Sequence, residues 1–129
     1  FFPRDASVYA DLFMKKLAET GAEVYLINTG WTGGSYGGGG VRFYLTMTRD
    51  LVNAVLSNSI ASFKRSTIPY FNFDIPESIP NIAPEILDPR LGRDEKEFDK
   101  DAASLAAMFR ENFKRFNTQE KIMCAGPKD

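Results

Sequence analysis

Gly21-Ala22-Glu23-Val24-Tyr25-Leu26-Ile27-Asn28 is the stretch on which the fold turns. A nearly continuous apolar run of this length, containing β-favouring residues, predicts a short strand covered on both faces. Ahead of it, from about Asp5 to Thr20, Val8, Leu12, Phe13 and Leu17 recur at near-helical spacing, and Gly21 stands where a left-handed cap ends a helix. Helix, glycine and buried strand together make an α/β unit.

Beyond the strand, residues 28–40 hold seven of the ten glycines, interrupted by Trp31 and Tyr36. Val41-Arg42-Phe43-Tyr44-Leu45 reads as a second extended piece. Thr48-Arg49-Asp50 opens a helix continued by Leu51, Val52, Val55 and Leu56, with Thr48 as N-cap and Asp50 at the positive end of the helix dipole. Five of the seven prolines fall within 61–92, which predicts loops and short strands there. In that region Phe71, Phe73 and Ile75 alternate with Asn72 and Asp74, as in an edge strand ended by Pro76. In the last third, Phe98, Ala102, Leu105, Phe109, Phe113 and Phe116 advance by threes and fours as one buried helical stripe. Glu111 and Arg115 form an i, i+4 pair on its wet side.

Composition narrows the chemistry. A chain of 129 residues is the size of one domain and buries about two thirds of its unfolded surface when folded. A formal charge of -1 gives no field favouring nucleic acid or an anionic membrane. The absence of histidine excludes Ser/His and Cys/His catalytic pairs and removes the commonest transition-metal ligands. Cys124 stands alone, which excludes an internal disulfide and suits a small, semi-buried side chain in a reducing compartment. No run of eighteen apolar residues is present. The chain begins without Met, on Phe1-Phe2, which suggests a segment of a longer protein, with the cytoplasm as default compartment.

The glycine-rich segment lets backbone approach a ligand closely. Neither Gly-x-x-x-x-Gly-Lys-Ser/Thr nor Gly-x-Gly-x-x-Gly is present, so no phosphate cradle is supported by motif. Two readings stand: a flexible surface loop, or a loop that presents Arg42 and Thr48 to a nucleotide. Arg42 offers a planar cation for a purine face or a phosphate, and Thr48 offers a short hydroxyl. Each residue also has an ordinary structural role, Arg42 as an exposed charge and Thr48 as a helix cap.

Tyr25-Leu26-Ile27-Asn28-Thr29-Gly30-Trp31-Thr32-Gly33-Gly34-Ser35-Tyr36-Gly37, followed by Arg42, Leu45 and Thr48-Arg49, resembles the region near the C-terminus of ATP-dependent phosphoenolpyruvate carboxykinases. The resemblance extends upstream through Tyr9-Ala10, Lys16 and Gly21-Ala22. Downstream it runs through Ile86-Leu87-Asp88-Pro89-Arg90, the Phe-rich helix and Ala125-Gly126-Pro127. It departs at Leu91-Gly92-Arg93-Asp94, where the family often carries a Trp and one more residue, and in the glycine run at 37–40.

Membership would imply an α/β fold, with residues 1–129 forming the C-terminal portion of a mononucleotide-binding domain, a mixed sheet flanked by helices and no internal boundary. It would imply a gluconeogenic lyase that decarboxylates oxaloacetate and phosphorylates the enolate with ATP, using magnesium and manganese. The resemblance places Arg42, Phe43 and Thr48 around the adenine of ATP. It assigns no catalytic residue and no metal ligand to this chain, because the family's phosphate loop, metal ligands and oxaloacetate-binding arginines precede the matching region. The partners implied are ATP, oxaloacetate and the preceding polypeptide, with no nucleic acid and no membrane. The alternatives are an adenine-nucleotide-binding module without chemistry, and a structural domain whose glycine loop binds nothing.

Overall fold

A computed structural model describes residues 3–34, 36–116 and 118–128. Phe1 and Phe2, with which the chain begins, lie outside the described residues, as do Ser35, Asn117 and Asp129. The elements in chain order are α1 (Ala6–Thr20), β1 (Trp31–Thr32), β2 (Val41–Arg42), α2 (Leu45–Leu56), a 3-10 turn (Ser59–Ser62), β3 (Arg65–Ile68), β4 (Phe73–Pro76), α3 (Pro84–Leu87), α4 (Glu95–Phe113) and α5 (Glu120–Ala125). Helices and strands mix, as the α/β reading expects. Among the described residues the strands form two separate antiparallel pairs, β1 with β2 and β3 with β4.

α1 is built as its sequence implies. Asp5 caps it by accepting from the Ser7 amide at 2.9 Å, and Gly21 ends it at φ 64°, donating its N–H to the Leu17 carbonyl. A left-handed residue at that position favours glycine because a Cβ would crowd the neighbouring carbonyl. The apolar stripe of α1 is not buried: Val8, Leu12 and Phe13 all face solvent.

The predicted strand over 22–28 is a correction. No secondary structure forms there, and Val24, Leu26 and Ile27 are exposed. A strand exists only by pairing, and none of the four strands lies against this run. Only Tyr25 turns inward.

Two small cores hold the remainder. Ala54 of α2, Ile60, Ile79 and Ile82 form the first, with Tyr25, Leu51, Val55, Phe63, Ile86 and Leu87 against it. Ile68 of β3 with Phe98 and Ala102 of α4 form the second, joined by Tyr70, Phe71 and Ile75. The proline-rich region therefore supplies short strands and turns that feed both cores. The expected alternation through Phe71 is broken because residues 69–72 are a turn, with Tyr70 and Asn72 at φ 70° and 57°. Strand β4 begins at Phe73, which stays exposed.

Along α4 the buried positions are Phe98, Ala102 and Ala106, one every four residues. The expected stripe drifts from that face after Ala102, leaving Leu105 and Phe109 exposed, with the Phe109 ring edge-on to Phe71. Glu111 pairs with Lys114 instead of Arg115, whose guanidinium lies over the Phe116 ring at 5.1 Å. Helix α4 ends at Phe113, and Arg115 lies in the turn that follows its C-cap Lys114. Cys124, expected half-buried, is exposed on α5.

Asp94 accepts from the Glu97 amide at 3.0 Å and caps α4. Asp94→Ala is expected to cost about 1 kcal/mol, read as a lower thermal midpoint with unchanged helix content at 20 °C. Just before it, Asp88 grips Arg90 through two oxygens, at 2.8 Å and 2.6 Å. These hydrogen bonds hold the Asp88 carboxyl below its ordinary pKa. A depressed folded pKa stabilises above the unfolded value and loses that contribution as pH falls through the folded value. Arg90→Gln should therefore be destabilising at neutral pH, and the difference should vanish in acid once Asp88 is protonated; a pH series of urea midpoints reads this.

The total accessible surface is 9794 Å². A compact monomer of 14.5 kDa would show about 6,900 Å². The chain thus buries about half of its unfolded surface instead of the expected two thirds. Among the described residues, no helix is long and apolar enough to cross a membrane.

Candidate functional site

The glycine-rich segment is a hairpin. Asn28 starts it, its side-chain oxygen accepting from the Gly30 amide at 2.9 Å, a turn that asparagine favours. The Phe43 amide donates to the Gly30 carbonyl at 3.0 Å, and the register pairs Trp31 with Arg42 and Thr32 with Val41. Gly30 and Phe43 are thus a hydrogen-bonded pair. In an antiparallel ladder the next pair, Trp31 and Arg42, is then a non-hydrogen-bonded one, whose side chains share a face at close range.

Gly34 fixes how tightly the loop can close. Its φ is 149°, and a Cβ there would meet the Gly38 carbonyl oxygen and the Gly40 nitrogen, each at 3.2 Å. Inside the loop, Tyr36 lies edge-on to Trp31 with ring centroids 5.1 Å apart. The hairpin is anchored from outside by the Thr32 hydroxyl, which donates to the Glu85 carbonyl at 3.3 Å. Glu85 belongs to α3, whose Ile86 and Leu87 pack on the first core.

The three residues singled out by sequence fall on the exit of this hairpin. Arg42 ends β2 with its side chain exposed, and it has no ion pair or side-chain hydrogen bond among the described residues. Phe43 is half-buried, its N–H already spent on Gly30. Thr48 is a correction. Helix α2 starts at Leu45 with Tyr44 as N-cap, so Thr48 lies at the end of the first turn and caps nothing. Nothing in Leu45-Thr46-Met47 opposes helical φ and ψ, so the ladder begins a turn early, with the Thr48 amide donating to the Tyr44 carbonyl at 3.1 Å. The Thr48 hydroxyl reaches the same carbonyl at a long 3.4 Å, and its lone pairs stay open to a donor.

A half-exposed indole paired across the ladder with an exposed guanidinium suits a flat ligand with negative charge nearby, and Thr48, the fourth residue of α2, carries an accepting hydroxyl. Trp31 is the residue that sequence reasoning used only as an interruption of the glycines. Its signal was present, since a loop bounded by positions 31 and 42 pairs those two positions if it closes as a hairpin. A concavity of about 530 Å³ lies elsewhere, between α1 and α5, lined by Asp11, Met14, Gln119, Lys121, Ile122 and Ala125. Its side chains offer no cluster of charge comparable to a nucleotide site. Among the described residues no three His, Cys, Asp or Glu side chains come together to hold a metal ion.

Comparison with known proteins gives this α/β segment its place. The family model described as phosphoenolpyruvate carboxykinase, of the ATP type, matches residues 1–85, which include the hairpin and the first turns of α2. The chain is 42% identical over 130 residues to the phosphoenolpyruvate carboxykinase (ATP) of Nitrobacter hamburgensis, an alignment covering 98% of this chain and 24% of that protein. It is 43% identical over 132 residues to the protein of the same name from Sulfurimonas denitrificans, covering 99% of this chain and 25% of that one. With that of Rubrobacter xylanophilus it shares 42% over 130 residues, with 98% and 24% covered. The chain belongs to the ATP-dependent phosphoenolpyruvate carboxykinase family. It spans about a quarter of the length of the curated relatives it matches.

Proposed function

We propose that this chain is the adenine-side part of an ATP-dependent phosphoenolpyruvate carboxykinase, and that it works only with the rest of the polypeptide. The observation that carries the reading is the unpaired Arg42 at the mouth of the hairpin, inside the span that matches the family. Arg42 stacks on one face of the adenine, where a cation meets the electron-rich ring. The Phe43 carbonyl and the Thr48 hydroxyl accept from its exocyclic amine. Trp31 lies across the ladder from Arg42.

The complete reaction takes oxaloacetate to carbon dioxide and an enolate, whose oxygen then attacks the γ-phosphorus of ATP as ADP departs. Magnesium and manganese would supply electrostatic stabilisation of the transferred phosphoryl group in the complete enzyme. The donors of this chain do not fit such ions, since it has no histidine and no clustered carboxylates among the described residues. Its share of the work is to fix the far end of the nucleotide, which makes the phosphate end arrive in one orientation. The 129 residues alone are inactive on this reading, and the whole enzyme is cytoplasmic.

The test is an assay of the complete polypeptide with oxaloacetate, ATP, Mg²⁺ and Mn²⁺. Phosphoenolpyruvate should form in step with ADP, and absence of product would overturn the proposal. Thr48→Ala gives a finer check. Because Thr48 is not a cap, its loss should change stability by less than about 0.5 kcal/mol, while KM for ATP rises and Thr48→Ser restores it.

A further inference from the structure

We infer that residues 118–128, α5 and its flanks, form a clasp that ties α1 to the second core and opens as a unit while that core stays folded. The ties at its two ends are polar. At the start, the Gln119 side-chain amide donates to a carboxylate oxygen of Asp11 on α1 at 2.8 Å. At the other end, the Lys128 N–H donates to the Tyr70 carbonyl at 2.8 Å, and the Arg110 guanidinium of α4 donates to the Lys128 carbonyl at 2.9 Å. The Asn72 side-chain amide adds a bond to the Ala125 carbonyl at 3.2 Å.

The far end grips backbone that needs holding. Tyr70 and Asn72 stand at φ 70° and 57°, in the left-handed region that a tyrosine rarely enters. Such conformations persist where the surroundings over-determine them. The clasp bonds to the residues on both sides of Phe71, whose ring lies edge-on to Phe109 of α4. Closing it therefore fixes the turn that carries Phe71 to α4.

Three features make the closed clasp easy to open. Helix α5 has no buried residue, so apolar packing does little to keep it down. The concavity of about 530 Å³ between α1 and α5, lined in part by Met14 and Ile122, leaves the space beside it unfilled. At the joint before α5, the Thr118 hydroxyl is buried with no partner among the described residues. An unpaired buried hydroxyl subtracts from stability, and opening returns it to water. Exposed hydrogen bonds with few apolar contacts are the marks of a segment that opens locally, ahead of global unfolding.

Hydrogen exchange on the complete polypeptide, without ATP, tests the clasp separately from the carboxykinase reading. Amides of 119–128 should exchange slower than in an unstructured peptide of the same sequence, yet at least roughly tenfold faster than those of 102–106 in α4. Thr118→Val removes the orphaned hydroxyl at nearly the same volume and should slow exchange in 119–128 roughly tenfold, with 102–106 unchanged. Asn72→Gly eases the φ at that position but breaks the bond to Ala125, and should speed exchange in 119–128 several-fold, on the order of the loss of one hydrogen bond. Exchange of 119–128 at the unstructured rate would overturn the inference, as would exchange in step with 102–106. So would a Thr118→Val protein whose 119–128 amides exchange at the original rate.

Discussion

Replacing Arg42 with Ala in the complete polypeptide is expected to raise the dissociation constant for ATP roughly 10- to 30-fold, the equivalent of about 1.4–2 kcal/mol for a desolvated cation over an aromatic ring. The affinity for oxaloacetate should stay within about twofold, because the lost contact lies at the other end of the nucleotide. The reason for expecting so clean a separation is structural. Arg42 is exposed and holds no ion pair among the described residues, so its removal leaves no buried charge behind. The hairpin itself is held by the Phe43 and Thr32 hydrogen bonds, which the substitution does not touch. Arg42→Lys keeps the charge but loses the planar face and should recover only part of the affinity. Isothermal titration with each ligand reads both effects, and equal loss for both would remove Arg42 from the adenine site.

Phe98→Ala should give the largest loss of stability, about 3–5 kcal/mol. Phe98 is 6% exposed and sits between Ile68 of β3 and Ala102 one turn along α4, with Tyr70, Phe71 and Ile75 around it. In so small a core no other large side chain can fill the space its ring leaves. Phe98→Leu keeps most of the volume and should cost less than about 1.5 kcal/mol, and Lys96→Ala, on the wet side of the same helix, should be close to neutral. Urea denaturation of the complete polypeptide followed by exchange protection in α4 separates the three. If Phe98→Ala matched Lys96→Ala, the second core as described would be wrong.

The sequence revealed most where structure is local. The Gly21 stop and the start of α1 near Asp5 were legible because helix ends are set within one turn, and the structure adds Asp5 as the cap. The long helix α4 was visible as a periodicity, though its buried face follows Phe98, Ala102 and Ala106 instead of the phenylalanines further along. Alanine at 106 is 0% exposed, whereas hydrophobicity alone favours the larger Leu105 and Phe109. The strand at 22–28 failed as an observed element for the opposite reason: its sequence specifies a strand, but the hydrogen bonds that would make it one are non-local. Thr48 failed as a cap since capping competes with simple continuation of a helix, and the two differ by only about 1 kcal/mol.

Arg42 and Phe43 were singled out through the family resemblance, and their placement at the exit of a hairpin came from the structure. The pairing of Trp31 with Arg42 was not read beforehand, since a run of glycines does not announce whether it closes as a hairpin or wanders as a loop. The exposed guanidinium and the accepting Thr48 hydroxyl are individually ordinary. They lie on one short chain segment, between the anchored hairpin and the first turn of α2.

The most direct measurement of the central claim is photolabelling of the complete polypeptide with 8-azido-ATP, followed by peptide mapping. The reactive nitrogen is carried on the adenine ring, so the label marks whatever surrounds that ring. The account predicts labelling within residues 30–48, suppressed by excess ATP but not by oxaloacetate. Label suppressed by ATP yet confined to peptides outside 30–48 would contradict it.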